Sequence, residues 1–571
     1  MSTLDWLVLL ITLAGIVSYG VLRGRGQQSM EGYFLSNKSL PWYIILLSIM
    51  GTQASAITFL SAPGQAYTDG MRFVQYYFGL PLAMVVLCVT FVPIFHRLKV
   101  YTAYEFLEQR FDLKTRTFTS FLFLLQRGLS TGISIYAPSI ILSSLLGWNI
   151  YWTNIFMGGL LIIYTVSGGT KAVAYTQKQQ FFIIFAGMFL AGYMLVKLLP
   201  GDVSLGDALH ISGKLGRLNV IVTDFNWQDK YNIWSGLIGG FFLALSYFGT
   251  DQSQVGRYLA ARSVAQSRIG LLMNGMVKVP MQFLIMLIGA LLLVFYQFYE
   301  APVLFNKAQL QQVYASPYKQ ELQQVQQHYD QLAERKKAEV QQMTDALHRG
   351  NQSDIKQAQQ ILLSSQQQSE DLRRQAQKII RKADPAADTN DTNYIFLYFV
   401  LNNLPKGLIG LLIAVIFLAA WGSIAAALNS LSSTTIVDFY QRLGRKKASD
   451  IHYLKVSRWC TLFWGVFSIL VAQFASKMGS LIEAVNILGS LFYGTILGIF
   501  LVAFYFKRIT GTPAFWAALL AEAGVIIVYL LQIVSFLWLN VIGCGLVILL
   551  AHMIQPFQKK IIPLPVDRFT D

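Results

Sequence analysis

Apolar runs about 20 residues long recur along this chain, each long enough for a helix to cross a bilayer, and they leave few folds open. Inside hydrocarbon every backbone N–H and C=O must find a partner within the protein, so such runs fold as helices. Composition agrees, with 54% of the 571 residues hydrophobic and 13% charged. The expected fold is an all-α polytopic membrane protein, with about 13 transmembrane helices at one helix per bilayer-length run.

A formal net charge of +16 raises the question of nucleic acid, but the basic residues fall in short clusters between apolar spans. That is the pattern of cytoplasmic loops, not of a nucleic-acid-binding face. The first span, Leu4 to Leu22, ends in Arg23-Gly24-Arg25, which places the N-terminus outside. It lacks the charged leader and A-x-A-like site of a cleaved signal peptide. Alternation puts the other basic connections on the same inner side: His96 to Lys99, Lys171 to Lys178, Arg257 to Arg268, Arg442 to Lys455, Lys507-Arg508 and Lys559-Lys560. The C-terminus is then cytoplasmic, in a bacterial inner (plasma) membrane. Cys88, Cys460 and Cys544 each sit in an apolar run without CxxC spacing, so they read as packing residues rather than disulfides or metal ligands.

One stretch, 301–392, is polar and Gln-rich, with twelve Lys and Arg against eleven Asp and Glu, so nearly all the charge excess lies outside it. Leu322, Val325, Tyr329 and Leu332, then Val340, Met343 and Leu347, step by three and four, and Gly350-Asn351 interrupts the pattern before Ile355 to Ile380. That predicts an extramembrane helical hairpin. It divides the chain into a transmembrane part, 1–300, the extracytoplasmic insertion, 301–392, and a second transmembrane part, 393–571. The insertion either docks an extracytoplasmic partner or is an insertion tolerated in an outer loop. His328 and His348 are isolated there and read as solvated.

Within the first long apolar stretch after the N-terminal span, Gly51-Thr52-Gln53-Ala54-Ser55-Ala56 places small and polar residues at mid-span. A helix that unwinds there offers backbone carbonyls to a cation, as discontinuous transporter helices do. No GxxxxGK[ST] loop is present to hold ATP phosphates, and no HExxH or GxSxG stands in a suitable context. The chain is therefore expected not to be an enzyme, to need no cofactor, and to draw its energy from an ion gradient.

Seven stretches in order resemble the sodium:solute symporter family: Gly32 to Leu35 with Ser39 to Trp42; Gly51 to Phe59; Tyr104 to Glu108 with Arg110-Phe111; Ser167 to Val173; Gly249 to Gln252 with Val255 to Tyr258; Leu428 to Ser430 with Asp438 to Tyr440; and Phe506 to Arg508 with Ala514 to Trp516. Tyr136-Ala137-Pro138 and Tyr247-Phe248-Gly249 look most like the iodide, monocarboxylate and multivitamin branch. The resemblance implies two inverted five-helix repeats whose first helices are broken, and sodium as coupling ion. It maps the sodium site onto the carbonyls of Gly51 and Ala54, the carbonyl of Ala419 and the hydroxyl of Ser423, although Ser423 also reads as a small residue for helix packing. Gly422 stands where many relatives carry a second hydroxyl, and Gln177 where some carry an aspartate of a second sodium site, so one sodium is expected. By the same resemblance Gln53, Thr58, Tyr76, Tyr77, Tyr247 and Lys278 line the solute pocket, with Tyr76 the outer and Tyr247 the inner gate candidate. Tyr77 and Ala244 stand where sugar-carrying relatives have glutamate and asparagine, which argues against an ordinary hexose.

Arg127 lies about 18 Å into its helix at the usual rise, near the bilayer centre. A charge there is costly and faces the bundle interior. Either it meets a solute carboxylate through its bidentate fork, or it pairs with a buried carboxylate or helix carbonyls; Lys278 carries the same two readings. The expected function is a sodium-coupled symporter importing a small organic anion, such as a carboxylate or acidic sugar, by alternating access. Alternatives are a neutral sugar, polyol or vitamin carrier, a proton-coupled carrier and a transporter-derived sensor. Its partners are the solute, sodium and membrane lipid.

Overall fold

A computed structural model describes residues 1–24, 30–98, 100–385, 387, 389–444 and 448–557. Of the basic markers, Arg25, Lys99, Arg445 to Lys447 and Lys559-Lys560 lie outside the described residues.

Among the described residues ten helices are long and apolar enough to cross a bilayer, and the pair Trp42–Gln53 and Ala56–Asp69, bent by 60°, makes an eleventh span. Two shorter apolar helices, Ile150–Val166 and Ser235–Thr250, complete the bundle; the expected count of about thirteen is reached only when both are counted as spans.

Ile150–Lys197 forms one helical run of 48 residues, where the sequence points to two spans joined by an inner basic connection. In a straight helix Tyr164 and Thr176 would be about 18 Å apart at 1.5 Å per residue. Their hydroxyls are instead 3.1 Å apart. The run is therefore not one straight helix: Ile150–Val166 and Val173–Lys197 are two apolar helices that lie side by side at Tyr164 and Thr176.

Two spans break at their middles. In the first, Ala54 and Ser55 leave helical geometry between Trp42–Gln53 and Ala56–Asp69. In the second, Asp251 is extended (φ −78°, ψ 117°) between Gly240–Thr250 and Gln252–Leu259. These two helices open the two stretches that the sequence points to as repeats. The chain entering the first is laced to the chain leaving the second: Leu40 N–H donates to the Ala260 carbonyl at 3.1 Å, and Arg262 N–H to the Leu40 carbonyl at 3.2 Å.

Leu408–Leu443 is the most completely buried span, with 83% of its apolar window inside the protein, and so forms the centre of the bundle. Close packing elsewhere depends on missing side chains. A Cβ on Gly289 of Val264–Phe298 would lie 1.9 Å from the Pro63 carbonyl oxygen of the broken helix.

The insertion folds as two long helices, Lys319–Arg349 and Gln352–Ala383, turned at Gly350 with φ +70°. It does not project from the bundle. Val340, Met343, Ile355 and Leu362, near its tip, join the same apolar core as the membrane helices. Leu322, Val325, Tyr329, Ile379 and Ile380, near its base, form a second cluster with Val303 and Leu304. Gln341 Nε2 donates to Asp202 Oδ2 at 2.7 Å and Gln359 Nε2 to the Lys214 carbonyl at 2.9 Å, so the hairpin lies along Leu205–Lys214. His348 is not merely solvated, since its Nε2 is 3.2 Å from Asp207 Oδ2.

Candidate functional site

The first break has a definite hydrogen-bond consequence. Ser55 N–H turns to the Gln53 carbonyl at 3.1 Å and Thr58 N–H to the Ser55 carbonyl at 3.0 Å. Regular helix would have sent them to Gly51 and Ala54, so those two carbonyls lose their i+4 donors. Freed carbonyls at a mid-membrane break are dipoles available to a cation.

Across from them, Ser423 Oγ donates to the Ala419 carbonyl at 2.9 Å and to the Ala420 carbonyl at 3.1 Å. Ser423 faces the same cavity as Thr52, Gln53 and Ser55. A buried amide fixes the spacing between the two helices: Gln177 Nε2 donates to the Gly422 carbonyl at 3.0 Å and to Thr52 Oγ1 at 3.2 Å, and Gln177 Oε1 accepts from Ser48 Oγ at 2.8 Å. The oxygens gathered here are all neutral, which suits a hard monovalent cation that must be released again. Among the described residues no cluster of three His, Cys, Asp or Glu exists for a transition metal.

Next to these oxygens lies a cavity of about 130 Å³. Gln53 and Thr58 from the broken helix, Tyr76 and Tyr77, Arg127 and Tyr247 all line it. Lys278, 1% exposed, does not; its Nζ sits 5.4 Å from the centre of the Tyr77 ring, behind the cavity wall. Tyr76 Oη donates to Asn486 Oδ1 at 3.0 Å, bridging one wall to the other. Tyr247 Oη accepts from Gln254 Nε2 at 2.6 Å and its ring stands 5.9 Å from that of Tyr493. Both gate candidates are thus held by named partners. Ala244 is buried beside the cavity without lining it.

Arg127 combines the two readings open to it in the sequence. It lines the cavity and also forms an ion pair with Asp251, the residue at the second helix break. Asp251 has no exposed side-chain surface; its Oδ1 caps the following half-helix by accepting from Ser253 N–H at 2.8 Å, and its Oδ2 accepts from Tyr493 Oη at 2.7 Å. Arg127 Nη2 donates to Tyr493 Oη at 3.2 Å, while its Nε is buried without a partner. The second break therefore anchors a cation at the solute cavity, as the first frees carbonyls beside it.

Asn486, Tyr493 and Asp251 were not singled out in the sequence. The first two lie seven residues apart, with Gly489 between, on one face of the apolar helix Leu481–Tyr505, and Asn486, Gly489 and Tyr493 line the cavity. Polar and small residues at that spacing in an otherwise apolar span were the available signal.

A model of the sodium:solute symporter family matches residues 33–329 and 379–521, leaving out most of the hairpin. The chain belongs to the sodium:solute symporter family. These are sodium-coupled membrane transporters rather than enzymes. The chain is 31% identical to the Homo sapiens sodium/iodide cotransporter over 268 residues, 47% of this chain and 41% of that protein. The chain thus aligns with less than half the length of that relative. It is 24% identical over 570 residues to the sodium/sialic acid symporter SiaT of Proteus mirabilis (strain HI4320), covering 99% of this chain and 97% of that one. A solved structure of a Na⁺-coupled sialic acid symporter in a substrate-bound outward-open state superposes with a TM-score of 0.75 at 22% identity, over 99% of this chain and 100% of that chain. That likeness establishes the fold of the chain, insertion included in its span.

Proposed function

We propose that this symporter imports a small organic anion, a carboxylate or acidic sugar, together with one sodium ion by alternating access. The observation that carries the reading is the adjacency of two chemistries in one space. Neutral oxygens freed by the first break lie beside a cavity into which the second break holds Arg127. Gly51, Ala54, Ala419 and Ser423 are assigned to sodium; Gln53, Thr58, Tyr76, Tyr77, Arg127 and Tyr247 to the solute. Lys278 acts from behind Tyr77. The single sodium follows from Gln177, whose neutral amide already bridges Thr52 and Gly422. Iodide and sialic acid, named for two of the relatives, are both anions, which supports the charge of the solute.

In this reading sodium and solute enter from outside, Tyr76 closes over them, the bundle rocks, and sodium leaves inward first past Tyr247. One charge moving down a 100 mV potential supplies about 2.3 kcal/mol. The N-terminus is outside and the C-terminus cytoplasmic in a bacterial inner membrane, with 301–392 as an extracytoplasmic unit between transmembrane parts 1–300 and 393–571. Lipid covers the exposed apolar girdle; no partner is invoked for the hairpin, whose apolar stripe the chain itself covers.

One observation favours a second reading. Asp251 neutralises Arg127, so a neutral polyol or vitamin meets no net charge at the pair. Uptake into proteoliposomes separates the two. With an imposed inward sodium gradient, N-acetylneuraminate or pyruvate is expected to accumulate, and accumulation to stop when choline replaces sodium at fixed pH. Undiminished uptake in choline eliminates sodium coupling; accumulation of inositol but neither anion moves the solute to the second reading.

A further inference from the structure

A second cavity, of about 360 Å³, lies between the hairpin and the membrane core, far from the sodium oxygens in sequence and lined by none of them. Its cations are Arg217, Lys336, Arg373, Arg374 and Arg381. Among the described residues two carboxylates, Glu370 and Asp391, share the lining with them.

Those two are taken. Arg373 Nη2 donates to both Asp391 oxygens at 2.7 Å, and Arg217 Nη2 to Glu370 Oε1 at 3.2 Å. Arg374 leans away toward Asp371, at 3.6 Å, which is not in the lining. Lys336 and Arg381 are left with neutral partners: Lys336 Nζ donates to Gln366 Oε1 at 3.0 Å and Arg381 Nε to Thr389 Oγ1 at 3.1 Å. Lys336 is 7% exposed, and Glu339, the acid that acts on it most strongly, is engaged by Arg335 at 3.2 Å. Burial pushes the Lys336 ammonium down to about 8, with Glu339 and Glu370 opposing and Arg373 assisting that shift, so it is still charged at neutral pH.

Two further donors are unmet. Tyr296 lines the cavity at 5% exposure with its hydroxyl buried and unpartnered, and Arg217 Nε is likewise without a partner. Buried donors are normally satisfied, and buried charge normally paired. A buried lysine and an exposed arginine, both without a carboxylate among the described residues, and two idle buried donors around one cavity are the complement of an anion with several oxygens.

We propose that this cavity is a second binding site, for a small organic polycarboxylate anion, separate from the transport site and closed by the hairpin. Lys336 and Arg381 supply its charge, and Tyr296 and Arg217 its remaining hydrogen bonds. Its floor includes Tyr67, at the end of the broken helix, whose neighbour Gly64 lets the Thr392 carbonyl approach to where a Cβ would be 1.9 Å away. A bound anion therefore ties the hairpin to the half-helix beyond the sodium oxygens.

The inference does not rest on sodium coupling, and its test is made without sodium. Citrate is titrated calorimetrically into the full-length protein in detergent and choline chloride. Wild type is expected to bind, Lys336→Gln/Arg381→Gln to bind at least tenfold more weakly, and Lys336→Arg/Arg381→Lys to recover most of the affinity. Lys337→Gln/Lys382→Gln removes the same charge from adjacent exposed positions and is expected to bind as wild type does, as is Arg127→Gln. Absence of sodium-free binding by wild type, or equal loss in the two charge-removing doubles, overturns the site. Loss of sodium-driven uptake in proteoliposomes with citrate binding intact would instead count against the transport reading alone.

Discussion

Two buried arginines stand eleven residues apart, about three turns, on one face of Leu113–Leu146, and both pair with a buried aspartate. Arg116 is saturated. Its Nε donates to Asp438 Oδ1 at 2.7 Å, Nη1 to Glu108 Oε2 at 2.6 Å and Nη2 to the Val437 carbonyl at 3.0 Å. Arg442 closes the other side of Glu108 at 2.5 Å. Arg127 has a single carboxylate, a tyrosine hydroxyl, one unpartnered nitrogen and a cavity in front of it. The same ion pair is thus a clamp at one level of the helix and a site at another. What separates them is whether every donor is spent.

The largest effect tests the clamp. Arg116→Ala leaves Asp438 buried and unpaired, which costs about 3–5 kcal/mol, and the thermal unfolding midpoint in detergent should fall accordingly. If it falls no further than for a surface substitution, the clamp reading is wrong. Removing the other arginine should act on transport first. Arg127→Gln/Asp251→Asn abolishes the charges together, so stability is expected near wild type while uptake of the anionic solute is lost; retained anion uptake would make the two pairs equivalent. On the cation side, Ser423→Ala removes one neutral oxygen and is expected to raise the sodium concentration for half-maximal uptake about tenfold, or about 1.4 kcal/mol. An unchanged sodium dependence would return Ser423 to helix packing. The smallest change is Lys278→Met, which deletes a cation over the Tyr77 ring worth about 0.5–2 kcal/mol; a loss of uptake as complete as at Arg127 would move Lys278 into the solute site.

Much of this was legible because membrane sequences are constrained strongly and locally. Apolar length announces spans, and small polar residues at Gly51 to Ser55 announce a break. The hairpin was legible from its three-and-four steps and its Gly350 turn. Other features depended on contacts between residues far apart in sequence. Leu322 to Leu347 read either as a face for a partner or as part of an insertion tolerated in an outer loop, and the chain's own apolar residues pack over it. Lys278 stood in line with pocket residues, but one ring, Tyr77, separates it from the cavity. Asp251 reads in the sequence only as part of a motif; that it caps one half-helix and holds Arg127 requires both helices in place.

The sequence by itself determined the class of the protein, its family and the location of the first helix break, because hydrocarbon demands that every backbone departure from helix be bought with special residues. Tertiary structure alone decided which charges are spent and which remain available. Arg116, Arg127 and Lys336 are alike as cations, and a charge in low dielectric takes its role from the partners that packing brings within hydrogen-bond reach.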